Sequence, residues 1–280
     1  MSKSGDTTKR RPSAKRRQES RREFLRSTAL VAGVMTVSLF GYYPVAQGVS
    51  LRLRPPGAIK TADDEQEFLA SCIKCGQCVQ TCPVEAIKLA DLADGFAIGT
   101  PYIDAREQAC DFSCDGLQCV LACPTGSLTH DLDYPADSRM GFARLDKPST
   151  CLAVQGKGFK GITRGAQFNG KLRFDEIDRW NPIQLKEHPF DLEICDLCVR
   201  LCPIEIRIAQ CDAGKPPSND PNQCPPKHAI TLEPIEDSDG LQRMRPVIQE
   251  GCVGCGVCEM VCPVEPTAIV IDIDKVTEMV

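Results

Sequence analysis

Tryptophan occurs once in these 280 residues, tyrosine four times and histidine three times, and all aromatics together reach 5%. So little aromatic surface excludes a broad core built on large rings. The three histidines, His130, His188 and His228, have no metal-ligand spacing, and they read as surface or packing residues. No nucleophile and base constellation is legible, and no C-x3-C-x2-C radical motif occurs. The chain is therefore expected to have no catalytic residues of its own. Charge of one sign is also missing from its proper balance. Residues 1–26 hold ten Lys and Arg against Asp6, Glu19 and Glu23, while the rest of the chain holds 23 basic and 35 acidic residues. An acidic body excludes nucleic acid as a natural partner and suits docking on a basic protein surface.

What is abundant is cysteine, eighteen residues, with 21 glycines and 21 prolines. That balance points to small modules organised by metal. CIKCGQCVQTCP, Cys72 to Pro83, has Cys72, Cys75, Cys78 and Cys82 at C-x2-C-x2-C-x3-C followed by proline, the spacing by which bacterial-type ferredoxins hold cubane iron–sulfur clusters. Three thiolates on one tight loop cap three corners of a cluster, and the fourth reaches the neighbouring cluster. Pro83 follows where a helix can start. Zinc is the rival metal, but it takes two C-x2-C pairs and no third cysteine three residues on.

Three more groups follow. Cys110, Cys114, Cys119 and Cys123 are spaced more loosely but end in the same C-x3-C-P. Cys252, Cys255, Cys258 and Cys262 repeat the opening spacing. The third group, Cys195, Cys198 and Cys202, has Leu192 where its first cysteine should stand, with Cys151, Cys211 and Cys224 available. Cys224 precedes a proline and AITL, as Cys82 precedes AIKL, so it competes to complete that group. An internal repeat joins the halves: Ala86–Leu89, an Asp94-Gly95 turn and Pro101–Ile103 correspond to Ala229–Leu232, an Asp239-Gly240 turn and Pro246–Ile248. Each reads as a hairpin carrying the chain between cluster loops.

Residues 1–46 read as an export leader. SRREFLR, Ser20 to Arg26, matches a twin-arginine signal with Arg21 and Arg22. An uncharged stretch from Ser27 to Leu51 and a cleavage point at Ala46 follow, with a retained membrane anchor as the alternative. Export of a folded chain suits cysteine chemistry, because clusters assemble on reduced thiols that the cytosol keeps and an oxidising compartment does not. Residues 47–64 read as a linker, and DDEQEFLASC as a short helix, capped by Asp63 or Asp64, that delivers Cys72.

In order and content, RLRPPGAI (Arg52 to Ile59), CIKCGQCVQTCP, CDGLQCVLACPTG from Cys114, SRMGFA (Ser138 to Ala143), CLAVQG (Cys151 to Gly156), CDLCVRLCP and CVGCGVCEMVCP resemble the NapG/MauM group of ferredoxin-type proteins from about Ser20 to Ile273. The resemblance implies that Cys151 completes the third group. It also implies an electron-transfer subunit working between a membrane-bound ferredoxin-type or quinol-oxidising protein and a periplasmic enzyme such as nitrate reductase, or else a MauM-like maturation factor. Two insertions depart from the pattern, about 157–193 and 207–227.

The expected fold is α+β, two tandem bacterial-ferredoxin modules at 65–135 and 136–275 with inserted loops, holding four [4Fe–4S] clusters. Crossed pairing would place Cys72, Cys75 and Cys78 with Cys123; Cys110, Cys114 and Cys119 with Cys82; Cys151, Cys195 and Cys198 with Cys262; and Cys252, Cys255 and Cys258 with Cys202. An outer pairing, first group with fourth, is the topological rival. Gly156, Gly158 and Gly161 form a G-x-G-x-x-G without the strand and helix that nucleotide binding needs. The basic residues after it, Lys157, Lys160, Arg164, Lys171 and Arg173, read as a solvated loop, with a docking patch as the alternative. Cys211 and Cys224 are expected to form a disulfide unless Cys224 is a ligand.

Overall fold

Glycine and proline interrupt the chain so often that the elements between them stay short. The computed structural model describes residues 22–36, 52–58, 64–92, 97–114, 116–173, 182–235 and 242–273. It divides into two compact units, Met1–Val49 with Ala93–Phe96, and Ser50–Leu92 with Ala97–Val280.

In the first unit the described element is a helix over 22–36, α1, whose side chains are exposed, Phe24, Leu30 and Val34 among them. Arg22 is its first described residue; Arg21 and Ala46 lie outside the described residues, as do the Asp94-Gly95 and Asp239-Gly240 turns and Asp63. No described helix is long and apolar enough to cross a membrane.

The second unit mixes helices and strands. In order come α2 (Asp64–Ser71), α3 (Gln77–Gln80), β1 (Ile87–Leu89), β2 (Pro101–Ile103), α4 (Gln118–Leu121), β3 (Phe142–Leu145), β4 (Phe159–Ile162), β5 (Lys171–Leu172), β6 (Ile183–Gln184), β7 (Pro189–Leu192), α5 (Leu197–Arg200), α6 (Pro203–Asp212), β8 (Ile230–Ile235), β9 (Arg243–Ile248), α7 (Val257–Val261) and β10 (Ile269–Asp272). The two hairpins of the repeat share a register: Ile87 faces Ile103 and Leu89 faces Pro101 in β1–β2, as Ile230 faces Ile248 and Leu232 faces Pro246 in β8–β9. Proline is tolerated there because each ladder has two strands and hence only edges. β3 pairs antiparallel with β10, Phe142 to Asp272 and Leu145 to Ile269. Buried residues from Leu53 to Ile269 form one core, in which the cysteines sit beside Leu, Ile, Val and Met.

Three expectations need correcting. The stretch read as a linker is buried from Leu53 to Ala58, because Leu53 C=O accepts from Ile103 N–H (2.7 Å) and Arg54 reaches inward. The Arg54 guanidinium, 1% exposed, donates to Glu65 (2.5 Å), to Thr100 Oγ1 (3.1 Å) and to the Pro101 carbonyl (2.8 Å), tying this stretch to α2 and β2. Secondly, proline starts a helix after only one group, at Pro203. Past Cys82 the chain must turn back to β1 within four residues, and Glu85 N–H closes that turn on Cys82 C=O (3.1 Å).

Thirdly, the insertion after Gly156 is no solvated loop. β4 pairs with β7 and β5 with β6, while Thr163, Leu172 and Leu185 are buried. A Cβ at Gly158 would stand 2.0 Å from Leu192 O, so that glycine serves strand approach. The basic residues there are largely engaged: Lys160 with Asp191, Lys171 with Glu85, Arg164 over the Phe168 ring, and Arg173 on the Phe112 carbonyl. The second insertion, by contrast, carries the expected Cys211–Cys224 disulfide, its Cα atoms 5.9 Å apart, and α6 runs into it.

Candidate metal centres

A loop that points three thiols at one centre must bend more sharply than most L-residues allow, and left-handed residues supply the bend. Lys74 and Gly76 have φ of 59° and 75° in the first loop, and Gly254 and Gly256 have 71° and 91° in the fourth. Phe112 and Leu117 do the same in the second group. In the third, Asp196 stays at −124°, because Cys195 and Cys198 need only one helical turn when the first thiol comes from elsewhere. In all four groups the third or equivalent cysteine, Cys78, Cys119, Cys198 and Cys258, lies in a one-turn helix, α3, α4, α5 or α7. α3 packs on α4, and α5 on α7. That is the neighbour relation expected where the first group pairs with the second and the third with the fourth; the outer pairing would bring α3 to α7.

Two sets of four thiols share a wall, and the remaining thiols are related by their charge coupling. Burial pushes Cys78 up to about 11, with Cys72, Cys75 and Cys123 adding to the rise. Burial raises Cys110 well above an ordinary thiol, reinforced by Cys114, Cys82 and Cys119. An apolar recess has Cys151, Cys195, Cys198 and Cys262 on its wall with Leu145 and Ile269, and there burial lifts Cys195 to about 11. A second recess is walled by Cys202, Cys252, Cys255 and Cys258 with Ile204 and Val253, where burial lifts Cys202 to about 12. The two walls hold the combinations that crossed pairing expects of the third and fourth groups. Cys151 stands in the third, while the sulfur of its rival Cys224 is bonded to Cys211.

Backbone N–H groups aim at the sulfurs, a feature that spacing did not reveal. Ala86 N–H donates to Cys82 Sγ (3.3 Å), Leu128 N–H to Cys123 Sγ (3.5 Å), Ala143 N–H to Cys252 Sγ (3.4 Å) and Ala268 N–H to Cys262 Sγ (3.5 Å). At Cys123 burial acts upward, but the Leu128 N–H and the Thr125 hydroxyl outweigh it and lower the thiol. Arg106 was also missed. Its guanidinium donates to the carbonyls of Glu259 (2.7 Å), Cys262 (2.8 Å) and Val264 (3.0 Å), more than 150 positions away, so no local signal could have shown it. His130 and His228 do not join the thiols: His130 bonds the Cys123 carbonyl and His228 bonds Glu205.

This donor set fits an iron–sulfur cubane. It offers four soft thiolates, an apolar wall and N–H donors that stabilise sulfur charge. Among the described residues no three His, Cys, Asp or Glu side chains stand close enough together to hold a single metal ion.

Comparison with known proteins agrees with this chemistry. The family described as 4Fe-4S dicluster domain matches residues 71–127, and the 4Fe-4S binding domain matches 245–266. The ferredoxin-type protein NapG of Escherichia coli K12 is 33% identical, covering 90% of this chain and 85% of its own. The methylamine utilization ferredoxin-type protein MauM of Paracoccus denitrificans is 32% identical over 91% and 88%. NapG of Haemophilus influenzae is 30% identical over 89% and 70%. No solved structure matches.

Proposed function

The chain belongs to the NapG/MauM ferredoxin-type proteins, which carry electrons on 4Fe-4S centres, and on that premise we propose that it is an exported polyferredoxin of two tandem modules and four [4Fe–4S] clusters. It relays electrons from a membrane quinol-oxidising partner to a periplasmic reductase or dehydrogenase. The observation that carries the reading is the pair of recesses walled by four cysteines each, with residues of two different groups in each wall. A bound cluster supplies reversible one-electron chemistry.

The chain's own residues do the rest. Cys72, Cys75, Cys78 and Cys123 hold the first site; Cys110, Cys114, Cys119 and Cys82 the second; Cys151, Cys195, Cys198 and Cys262 the third; Cys252, Cys255, Cys258 and Cys202 the fourth. Burial raises the thiols of Cys78, Cys110, Cys195 and Cys202, so taking up iron there would release protons. Ala86, Leu128, Ala143 and Ala268 N–H groups then hold sulfur charge in place. The apolar walls keep water from the fourth site, whose cysteines are all buried. Export in the folded state through Arg21 and Arg22 is supported by the Cys211–Cys224 disulfide, a bond that persists in an oxidising compartment, beside sixteen thiols that need a reducing one to take up iron.

Anaerobically purified protein should contain about sixteen irons per chain, four in each cubane, with broad visible absorption bleached by dithionite. About eight irons would reduce the count to two clusters. Replacing Arg21 and Arg22 by Lys should leave the loaded protein in the cytosol; undiminished export would remove the twin-arginine route. The similarity to MauM proteins favours one second reading, a maturation factor for a periplasmic redox enzyme. Under it, deleting the protein leaves the partner unassembled, whereas under the relay the partner is assembled but unreduced.

A further inference from the structure

Several contacts join the two halves of the chain, and the one that links two cysteine loops directly does not follow the sequence order of the cysteine groups. Cys110, the first ligand of the second site, donates its N–H to the carbonyl of Cys255 in the fourth-group loop (3.2 Å). The neighbouring Ala109 N–H points at Met260 Sδ (3.2 Å) in α7. On the other face of the same contact Gly256 lies so close to the first half that a Cβ there would come within 2.7 Å of Ala105 Cβ and 3.4 Å of Ala109 Cβ. Gly256 is left-handed, φ +91°, and its lack of a side chain lets the two loops touch. From Cys110 Sγ to Cys255 Sγ the bonded path runs through two cysteine side chains and their adjoining backbone, and it crosses one hydrogen bond. Within each half, α3 rests on α4 and α5 on α7, which joins the first site to the second and the third to the fourth.

We infer that the four sites stand in the spatial order one, two, four, three, with the Cys110–Cys255 contact as the junction between the halves. Electrons crossing the molecule would therefore pass from the second site to the fourth, and the first and third sites are the two ends. Of the sixteen thiols only Cys75 is exposed, and it belongs to the first site, as an end that exchanges electrons with a partner requires. The inference deepens the four-cluster reading and rests on it.

Magnetic coupling between reduced sites tests the order, because dipolar coupling falls with the cube of the separation. Dithionite gives each site one electron, and the EPR spectrum then shows which sites have a close neighbour. Four variants each remove one ligand: Cys75→Ala, Cys114→Ala, Cys195→Ala and Cys252→Ala. Each should retain about twelve irons, three cubanes of four. In the order one, two, four, three, Cys114→Ala strands the first site and Cys252→Ala strands the third. Both should show one uncoupled spin per chain, and Cys75→Ala and Cys195→Ala should show none. An uncoupled spin with Cys195→Ala and none with Cys252→Ala is the signature of sequential order and overturns the inference. Uncoupled spins in all four variants overturn it too, since the halves would then not communicate.

Should a ligand variant lose more than one cluster, Ala105→Val supplies the second measurement. It adds bulk against Gly256 without touching a ligand. It should keep about sixteen irons, four cubanes, while weakening the broadening between the halves; unaltered broadening counts against the junction. The parent protein separates the two levels of the argument: fewer than about sixteen irons overturns the four-cluster reading and this order with it, whereas sixteen with the wrong coupling pattern overturns the order alone.

Discussion

The first and fourth cysteine groups share one spacing, C-x2-C-x2-C-x3-C-P, and occupy different surroundings. In the first, Cys75 is exposed, Cys72 and Cys82 are half-buried and Cys78 is buried; in the fourth, Cys252, Cys255, Cys258 and Cys262 are all buried. Ile73, Leu89 and Leu121 stand open to solvent near the first, whereas Val253, Val257, Met260 and Val261 close the fourth from water. Outside α1, all the exposed large hydrophobic residues described, Leu92 and Ile98 included, lie in the first half. Spacing thus decides what a loop can hold, and packing decides how much water and which dipoles the held group meets. Those are the quantities that set potential and lability.

Complete removal of iron is the harshest way to break the comparison. With thiols at the centre of the core, a stripped chain should lose its cooperative unfolding transition. Loss under an anaerobic chelator should be staged, with the first site emptied earlier than the fourth. Simultaneous loss, followed by visible absorption and iron content, would mean that exposure at Cys75 does not govern access.

At the third group, the comparison sharpens to one cluster. Cys151→Ala should lower iron by about a quarter, one cubane in four, and Cys224→Ala should leave it unchanged. The reverse pattern would reassign the third site.

Side chains around the two loops should then differ in stability effect. Met260→Ala opens a cavity beside the fourth group and should cost about 2–5 kcal/mol. Glu65→Gln leaves the buried Arg54 charge without its carboxylate near the first group and should cost about 3–5 kcal/mol. Urea midpoints on loaded protein measure both, and little change in either would show that the bound clusters alone hold the unit together.

Loss of the Cys211–Cys224 disulfide comes next: Cys211→Ala should reduce stability by about 3 kcal/mol on the chain-entropy account with no change in iron. Ile73→Ser, on the open side of the first loop, should stay within about 0.5 kcal/mol. A cost near that of Met260→Ala would mean that the first loop is closed in solution.

Much of this was readable from residue order, and for a local reason. Two or three residues between cysteines limit a loop to a few backbone paths, so the members of the first, second and fourth groups, the short helix before Cys72 and the paired hairpins all follow from neighbours in the chain. Even the equivalent registers of Leu89 with Pro101 and Leu232 with Pro246 have a sequence counterpart in the equal spacing of turn and proline. The third group was the place where local order ran out. Its first thiol, Cys151, stands 44 positions before Cys195, and only the folded wall shared with Leu145 and Ile269 brings the two together. The burial of Arg54, the reach of Arg106, the ladders in the first insertion and the contact of Cys110 with Cys255 belong to the same class. Each joins segments distant in sequence, and such contacts are chosen by which surfaces fit when the core closes, a property of the assembled packing that no short window of residues encodes.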